Sequence, residues 1–222
     1  MNDKAMTQDL NKLKRDPERT RKRILEAATE EFSERGLSGA RVDSIARRAD
    51  VNERMLYYYF GNKDQLYLAV LEKVYGDFND AEHALQLDAL APLDAVRELA
   101  HFIWNYYQQH PELIRLINNE NLHEARHMRE STRVQAFVSP IVAMLASVLE
   151  RGEADGTIQP GVDPVQCYVT ISGLGYYVLS NRHTLTTVMG RDPLAPEERA
   201  RTMAFHTDML LNYLRAGAKP AN

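Results

Sequence analysis

The stretch that most restricts what this chain can fold into is Val42 to Tyr67, VDSIARRADVNERMLYYYFGNKDQLY. Val42, Ile45, Ala46 and Ala49 recur at i, i+3, i+4 and i+7, the spacing that gives a helix one buried face. So short a helix needs a neighbour to cover that face. Ala49-Asp50-Val51-Asn52 then breaks the period. Asp50 tolerates a left-handed backbone, and the Asn52 side chain is placed to accept N–H bonds as the N-cap of the next helix. That helix, Glu53 to Phe60, turns Leu56 and Phe60 inward and leaves Glu53, Arg54, Tyr57 and Tyr58 outward. The pattern is helix, tight turn, helix, and a short helix with exposed polar and aromatic groups at its start fits a DNA major groove.

The flanks complete a three-helix unit. Asp16-Pro17 reads as a helix start, with Asp as N-cap and Pro at the first helical position, where its missing N–H costs nothing. Ile24, Leu25, Ala28 and Phe32 share one face, and Gly36 is expected to end the helix in a left-handed cap. After Phe60-Gly61, Asn62 and Gln65 have capping-box spacing, and Leu66, Tyr67, Val70, Leu71 and Val74 form the next apolar stripe. Lys63 then falls in a first helical turn, where a phosphate meets both a cation and the positive helix end.

Charge is unevenly placed. The 222 residues carry a net −4, which argues against nucleic acid until position is considered. Residues 1–75 hold fifteen Lys and Arg against thirteen Asp and Glu, a net +2 that leaves −6 for the rest. Lys12, Lys14, Arg15, Arg19, Arg21, Lys22 and Arg23 form a basic run suited to neutralising phosphates or to simple solvation. Met1 to Arg15 lacks apolar periodicity and is expected to be a mobile arm. No apolar run approaches the roughly 20 residues that span a bilayer, and the N-terminus is unlike a signal peptide. One cysteine, Cys167, allows no intrachain disulfide framework, in keeping with a cytoplasmic location.

The motifs combine into a resemblance. Phe32 with Gly36, then Ile45-Ala46-Arg47-Arg48-Ala49-Asp50-Val51, then Leu56-Tyr57-Tyr58-Tyr59-Phe60-Gly61-Asn62-Lys63-Asp64-Gln65-Leu66 resemble, in order, the F-x-x-x-G, I-A-x-x-A-G-V and L-Y-x-H-F-x-x-K-x-x-L elements of TetR/AcrR-family regulators. The resemblance covers residues 17 to 71. It implies that Tyr57, Tyr58 and Tyr59 lie along the DNA backbone and that Lys63 pairs with a phosphate. It also implies that Asn52, Glu53, Arg54 and Met55 read base edges, helped by Asp43 and Ser44. Asp50 departs from the family's glycine, Tyr59 from its histidine, and Arg41 replaces a capping threonine with a cation able to reach the backbone. Glu53 either accepts from a cytosine amino group or pairs with Arg54.

The remainder reads as all-α, with no β pattern or internal repeat. Asp94 to Gln109 carries Val96, Leu99, Ala100, Ile103, Trp104 and Tyr107; Pro111 opens a helix with Leu113, Ile114, Leu116 and Ile117; Ser131 to Arg151 contains Pro140. Helices over 165–182 and 197–214 follow, after a turn-rich connection from Gly152 to Pro164. The resemblance implies that this larger domain encloses a ligand cavity and dimerises through those last two helices as a four-helix bundle. The expected organisation is a basic flexible arm over 1–15, a helix-turn-helix DNA-binding domain over 16–62 and a ligand-binding and dimerisation domain over 63–222. Trp104, Tyr107, Asn118, Asn119, His123, His127 and Tyr176 are the polar and aromatic groups expected to line a small-molecule site. Separately, His123-Glu124-Ala125-Arg126-His127 satisfies H-E-x-x-H, which on a helix would hold zinc and name a hydrolase as the rival class. Met128-Arg129-Glu130-Ser131 does not extend that motif and no third ligand follows, so no metal, cofactor or catalytic residue is expected. The expected function is a homodimeric repressor released from a palindromic double-stranded DNA operator by a small molecule, with no membrane partner.

Overall fold

A computed structural model describes residues 17–215 and Gly217. The arm over 1–15 and the Asp16 cap lie outside the described residues. Ten helices follow one another within them: α1 (Pro17–Gly39), α2 (Val42–Arg48), α3 (Glu53–Phe60), α4 (Lys63–His83), α5 (Pro92–Gln109), α6 (Pro111–Leu122), α7 (Thr132–Ala154), α8 (Pro164–Ser180), α9 (Arg182–Met189) and α10 (Pro196–Arg215). Single 3-10 turns stand at Leu87–Ala89 and Met128–Glu130, and no strand occurs among the described residues. No helix there is long and apolar enough to cross a membrane. The chain divides into two compact units, one running through Lys73 with Arg115–Ser131 added, the other comprising Val74–Ile114 and the chain from Thr132 onward.

In the first unit the apolar periods become core. Ile24, Leu25, Ala28 and Phe32 of α1, Ile45 and Ala46 of α2, and Leu56 and Phe60 of α3 are all buried. At Gly36 the backbone takes φ 66° and ψ 175°, a region only glycine enters easily, so the chain turns there without adopting the left-handed helical cap expected of it. A side chain at Gly36 would also strike the Asn119 amide, 2.5 Å from where a Cβ would sit. Asn119 Oδ1 accepts from the Tyr67 hydroxyl at 2.9 Å and from the Leu37 N–H at 3.4 Å. The Tyr67 ring meets Phe32 and His127 edge-on, each at 5.0 Å. These contacts explain why the unit extends past the sequence boundary at residue 62 and takes in residues 115–131.

One buried acid fixes α2 to α1. Glu31 has no solvent exposure, accepts from the Ser44 hydroxyl at 2.8 Å and the Arg41 N–H at 3.2 Å, and lies 3.3 Å from Arg35 and 3.7 Å from Arg48. Burial by itself would raise its pKa. The hydrogen bonds from Ser44 and Arg41 and the two guanidinium groups outweigh that and hold the carboxyl below the usual glutamate range.

In the second unit α5 is the central helix, packed on α7, α8 and α10. Helix α7 runs unbroken through Pro140. Past its end, Ile158 lies beneath Gly152, and Gln159 donates its backbone N–H to Leu214 at 2.7 Å and its side-chain amide to Tyr213 at 2.8 Å. Asp163 caps α8 by accepting from Gln166 N–H at 2.8 Å, with Pro164 behind it. The helix expected over 165–182 stops at Ser180, and a separate short helix, α9, follows. Arg182 forks onto Asp192 at 2.6 and 2.9 Å, which closes α9 and its loop into one clamp and holds the Asp192 carboxyl down at about 2.

This unit also buries an acid, on different terms. Glu82, in the last turn of α4, is 2% exposed and accepts from the Tyr168 hydroxyl at 2.9 Å. Burial pushes its carboxyl up to about 7, a hydrogen bond from Tyr168 opposing.

Two outcomes are expected. Glu31→Ala leaves the Ser44 hydroxyl and Arg41 N–H without their acceptor and costs about 2 kcal/mol, read as roughly 30-fold faster amide exchange in α2. The folded pKa of Glu31 is depressed, so its contribution is complete above the ordinary glutamate range and fades as pH falls below it. Glu82 has the opposite sign: its folded pKa is raised, so stability declines as pH rises from the ordinary carboxylate range through about 7. Glu82→Gln removes that decline in urea titrations across the interval and melts no lower than wild type at pH 8.

Candidate nucleic-acid interface

The turn between α2 and α3 forms as its residues dictate. Asp50 sits at φ 52°, in the left-handed region the sequence assigned to it. Arg23 of α1 steadies the turn, donating to the Asp50 carbonyl at 3.4 Å and lying 3.6 Å from its carboxylate. Asn52 Oδ1 accepts the Met55 N–H at 2.9 Å, so the expected N-cap is made. Gly61, at φ 78°, ends α3, and Asn62 Oδ1 accepts the Gln65 N–H at 2.8 Å to start α4.

These constraints orient α3. Leu56 and Phe60 face inward, with the Arg21 guanidinium 5.0 Å over the Phe60 ring. Glu53, Arg54, Tyr57 and Tyr58 face solvent, Tyr58 being 81% exposed. Tyr59 is half-buried and meets Tyr58 edge-on at 5.3 Å. Met55 is half-buried, and Lys63 is the first residue of α4. Among the described residues Glu53 and Arg54 make no ion pair with each other.

The candidates that precede the turn, Arg41, Asp43 and Ser44, are engaged within the protein. Arg41 forks onto Asp43 at 3.0 and 3.2 Å, a pairing that holds the Asp43 carboxyl below its usual range, and Arg47 reaches the same acid at 3.5 Å. The Ser44 hydroxyl is given to Glu31. Arg48 lies 3.0 Å from Glu30 and 3.2 Å from Glu34.

The seven residues grouped as a ligand site divide between the units. Trp104 and Tyr107 are buried on α5 and Tyr176 is half-buried on α8, all in the second unit. Trp104 walls a cavity of about 20 Å³ with Ile171, Gly175, His206, Thr207 and Leu210, room for about one water. Asn118, Asn119, His123 and His127 belong to the first unit, where Asn119 and His127 serve its packing.

The H-E-x-x-H sequence does not lie on a helix. Helix α6 ends at Leu122, and Glu124 and Ala125 take φ of 57° and 54°, so the two histidines do not share a helical face. His123 is exposed, its Nδ1 2.7 Å from the Asn119 carbonyl. His127 is buried, with Nδ1 2.8 Å from Glu120 and Nε2 3.5 Å from Asp64. The other Glu120 oxygen accepts the N–H groups of His127 and Met128, so this acid secures the left-handed turn. No cluster of three metal-ligating side chains occurs among the described residues.

Three acids that the sequence analysis does not single out, Glu31, Glu82 and Glu120, are buried. Their signal is phase. Glu31 stands seven residues after Ile24 and three after Ala28; Glu82 follows Val74 and Phe78 at fours; Glu120 follows Leu113 and Leu116 at seven and four. Each occupies a position on its helix's apolar stripe.

Comparison with known proteins agrees with this geometry. Residues 24–70 match the family described as bacterial regulatory proteins, tetR family, and residues 92–210 match the tetracyclin repressor-like C-terminal domain. The transcriptional repressor NicS of Pseudomonas putida is 40% identical over 198 residues, 89% of this chain and 93% of that protein. The transcriptional repressor SCO4008 of Streptomyces coelicolor is 36% identical over 132 residues, 56% of this chain and 65% of that protein. The crystal structure of regulator SCO4942 from Streptomyces coelicolor aligns with a TM-score of 0.63 at 27% identity, covering 86% of this chain and 97% of that one. With its turn-linked helices, its outward-facing α3 and both family domains in order, the chain belongs to the TetR family of DNA-binding transcription regulators.

Proposed function

We propose that the protein is a homodimeric repressor that holds a palindromic operator through α3 and the start of α4 and releases it when a small molecule binds the second unit. The observation that carries the DNA reading is an imbalance of charge. Lys22, Arg23, Arg35, Arg41, Arg47 and Arg48 each pair with an acid, whereas Arg54 and Lys63 pair with none among the described residues. Arg54 projects from α3 beside Tyr57 and Tyr58, where a major groove would meet it. Lys63 adds its charge to the N-terminal end of α4, a site suited to phosphate. Arg41 and Ser44 would reach DNA only by leaving Asp43 and Glu31, so their part is secondary.

Dimerisation is supported by an uncovered apolar stripe. Val165, Val169 and Tyr177 recur at fours along α8, and Phe205, Met209 and Tyr213 along α10, all exposed. Gly173 lies on the α8 stripe, and a Cβ there would meet nothing within 4 Å, which leaves room for a partner helix. Two such heads about 34–36 Å apart would address successive major grooves. The repressor assignment is carried over from NicS and SCO4008.

Footprinting on genomic fragments is the direct test, with two protected half-sites expected. Lys63→Ala weakens binding equally on all sequences and lowers the salt slope by about one, while Arg54→Ala relaxes one base position at a cost of about 1–3 kcal/mol. Unchanged affinity and salt slope for Lys63→Ala would refute the phosphate assignment. Phe205→Glu with Tyr213→Glu is expected to sediment as a monomer and to lose operator affinity, since both positions are exposed and their change spares the core. A dimeric double variant would place the interface elsewhere.

A further inference from the structure

We propose that Glu82 anchors the effector and that the effector is a small organic cation, a protonated amine held against tyrosine and phenylalanine rings. The assignment rests on the reading of the chain as a ligand-released regulator and supplies the chemistry of its ligand. Glu82 is 2% exposed, and among the described residues no lysine, arginine or histidine pairs with it; its one hydrogen bond comes from the Tyr168 hydroxyl at 2.9 Å. Asn79, one turn earlier on α4, has a buried side-chain oxygen without a partner. Phe78, the next residue back, stands 4.9 Å from the Tyr106 ring, 5.6 Å from Tyr107 and 6.2 Å from Phe102.

All of these groups are electron-rich: a carboxyl, an amide oxygen and ring faces. The missing complement is a donor bearing positive charge, which a carboxylate binds by a charge-assisted hydrogen bond and ring faces attract through their quadrupoles. Burial raises the Glu82 pKa because nothing in the protein compensates the ion, and a bound ammonium would. Tyr168 holds the donor position in this structure, and the amine takes its place on Glu82. Gly175 bears on both Tyr107 and Trp104, so the cavity beside Trp104 adjoins the ring that closes the cluster. Because Tyr168 belongs to α8, between the exposed Val165 and Val169, the exchange acts on the helix that carries the apolar stripe.

The test is calorimetry on the full-length protein with benzylamine, phenethylamine and tyramine, set against benzyl alcohol and phenylacetate as neutral and anionic counterparts. Wild type is expected to prefer the amines. Glu82→Gln keeps shape and buries no ion, so it should melt no lower than wild type yet bind amines at least about tenfold more weakly, with the alcohol unaffected. Tyr168→Phe removes the competing donor and should tighten amine binding. The proposal is overturned if no amine binds, if the alcohol or the carboxylate is preferred, or if Glu82→Gln binds amines as wild type does. Amine binding by a wild-type protein that captures no DNA would sink the regulator reading alone; operator capture with no amine binding would sink the Glu82 assignment alone.

Discussion

The surface that carries Arg54 and Tyr58 depends on one carboxylate that never touches solvent. Helices α2 and α3 are seven and eight residues long, too short to persist unless packed. Arg41 at the α2 N-cap offers no side-chain cap. Glu31 supplies that function from α1, accepting the Arg41 N–H and the Ser44 hydroxyl while Arg35 and Arg48 balance its charge. With α2 held, Ile45, Ala46 and Leu56 are buried, and Asp50 and Asn52 shape the turn between the helices. The direction of Arg54 and Tyr58 therefore follows from an interaction that includes neither.

Glu82 shows the same side chain used to the opposite end. Both acids are desolvated, but Glu31 has two guanidinium groups and two hydrogen-bond donors, and Glu82 has a phenol. The first is held ionised and stiffens its surroundings; the second is pushed toward neutrality and leaves an unmet preference for positive charge. Glu120 stands between them, buried with His127 and occupied by the N–H groups of a strained turn. A ligand shifts an equilibrium only by its differential affinity for the two states, so an ion that is compensated only in the liganded state is a direct source of that difference.

Helix content and the helix-turn-helix were legible because apolar periodicity and a few punctuating residues carry them. Ile24 to Phe32, Leu56 with Phe60, and Leu66 to Val74 are buried on the phases that spacing assigns, and Asp50, Asn52 and Asn62 make the backbone features their side chains favour. What escaped depends on long-range pairing. No local pattern announces that Asn119 will bond Tyr67 and Leu37, so residues 115–131 could not be assigned to the head. The same limit applies at His123 and His127, where the spacing was right for a helix but Glu124 and Ala125 leave helical backbone. The break at Asn181 reflects Arg182 reaching forward to Asp192, again a pairing across a loop.

Charge placement bears on why such a protein would act in pairs. The six guanidinium and ammonium groups of α1, α2 and its N-cap that pair with acids are largely neutralised within the head, and they lend DNA little net attraction. On the proposed reading Arg54 and Lys63 meet the DNA, with helix ends and tyrosine hydroxyls beside them. Few phosphates are neutralised by so small a set, and affinity scales with the counterions released. A second head fixed to the first makes the second contact intramolecular, which multiplies affinity without any new residue on the DNA face. The exposed stripe from Val165 to Tyr177 and from Phe205 to Tyr213 suits the pairing proposed above.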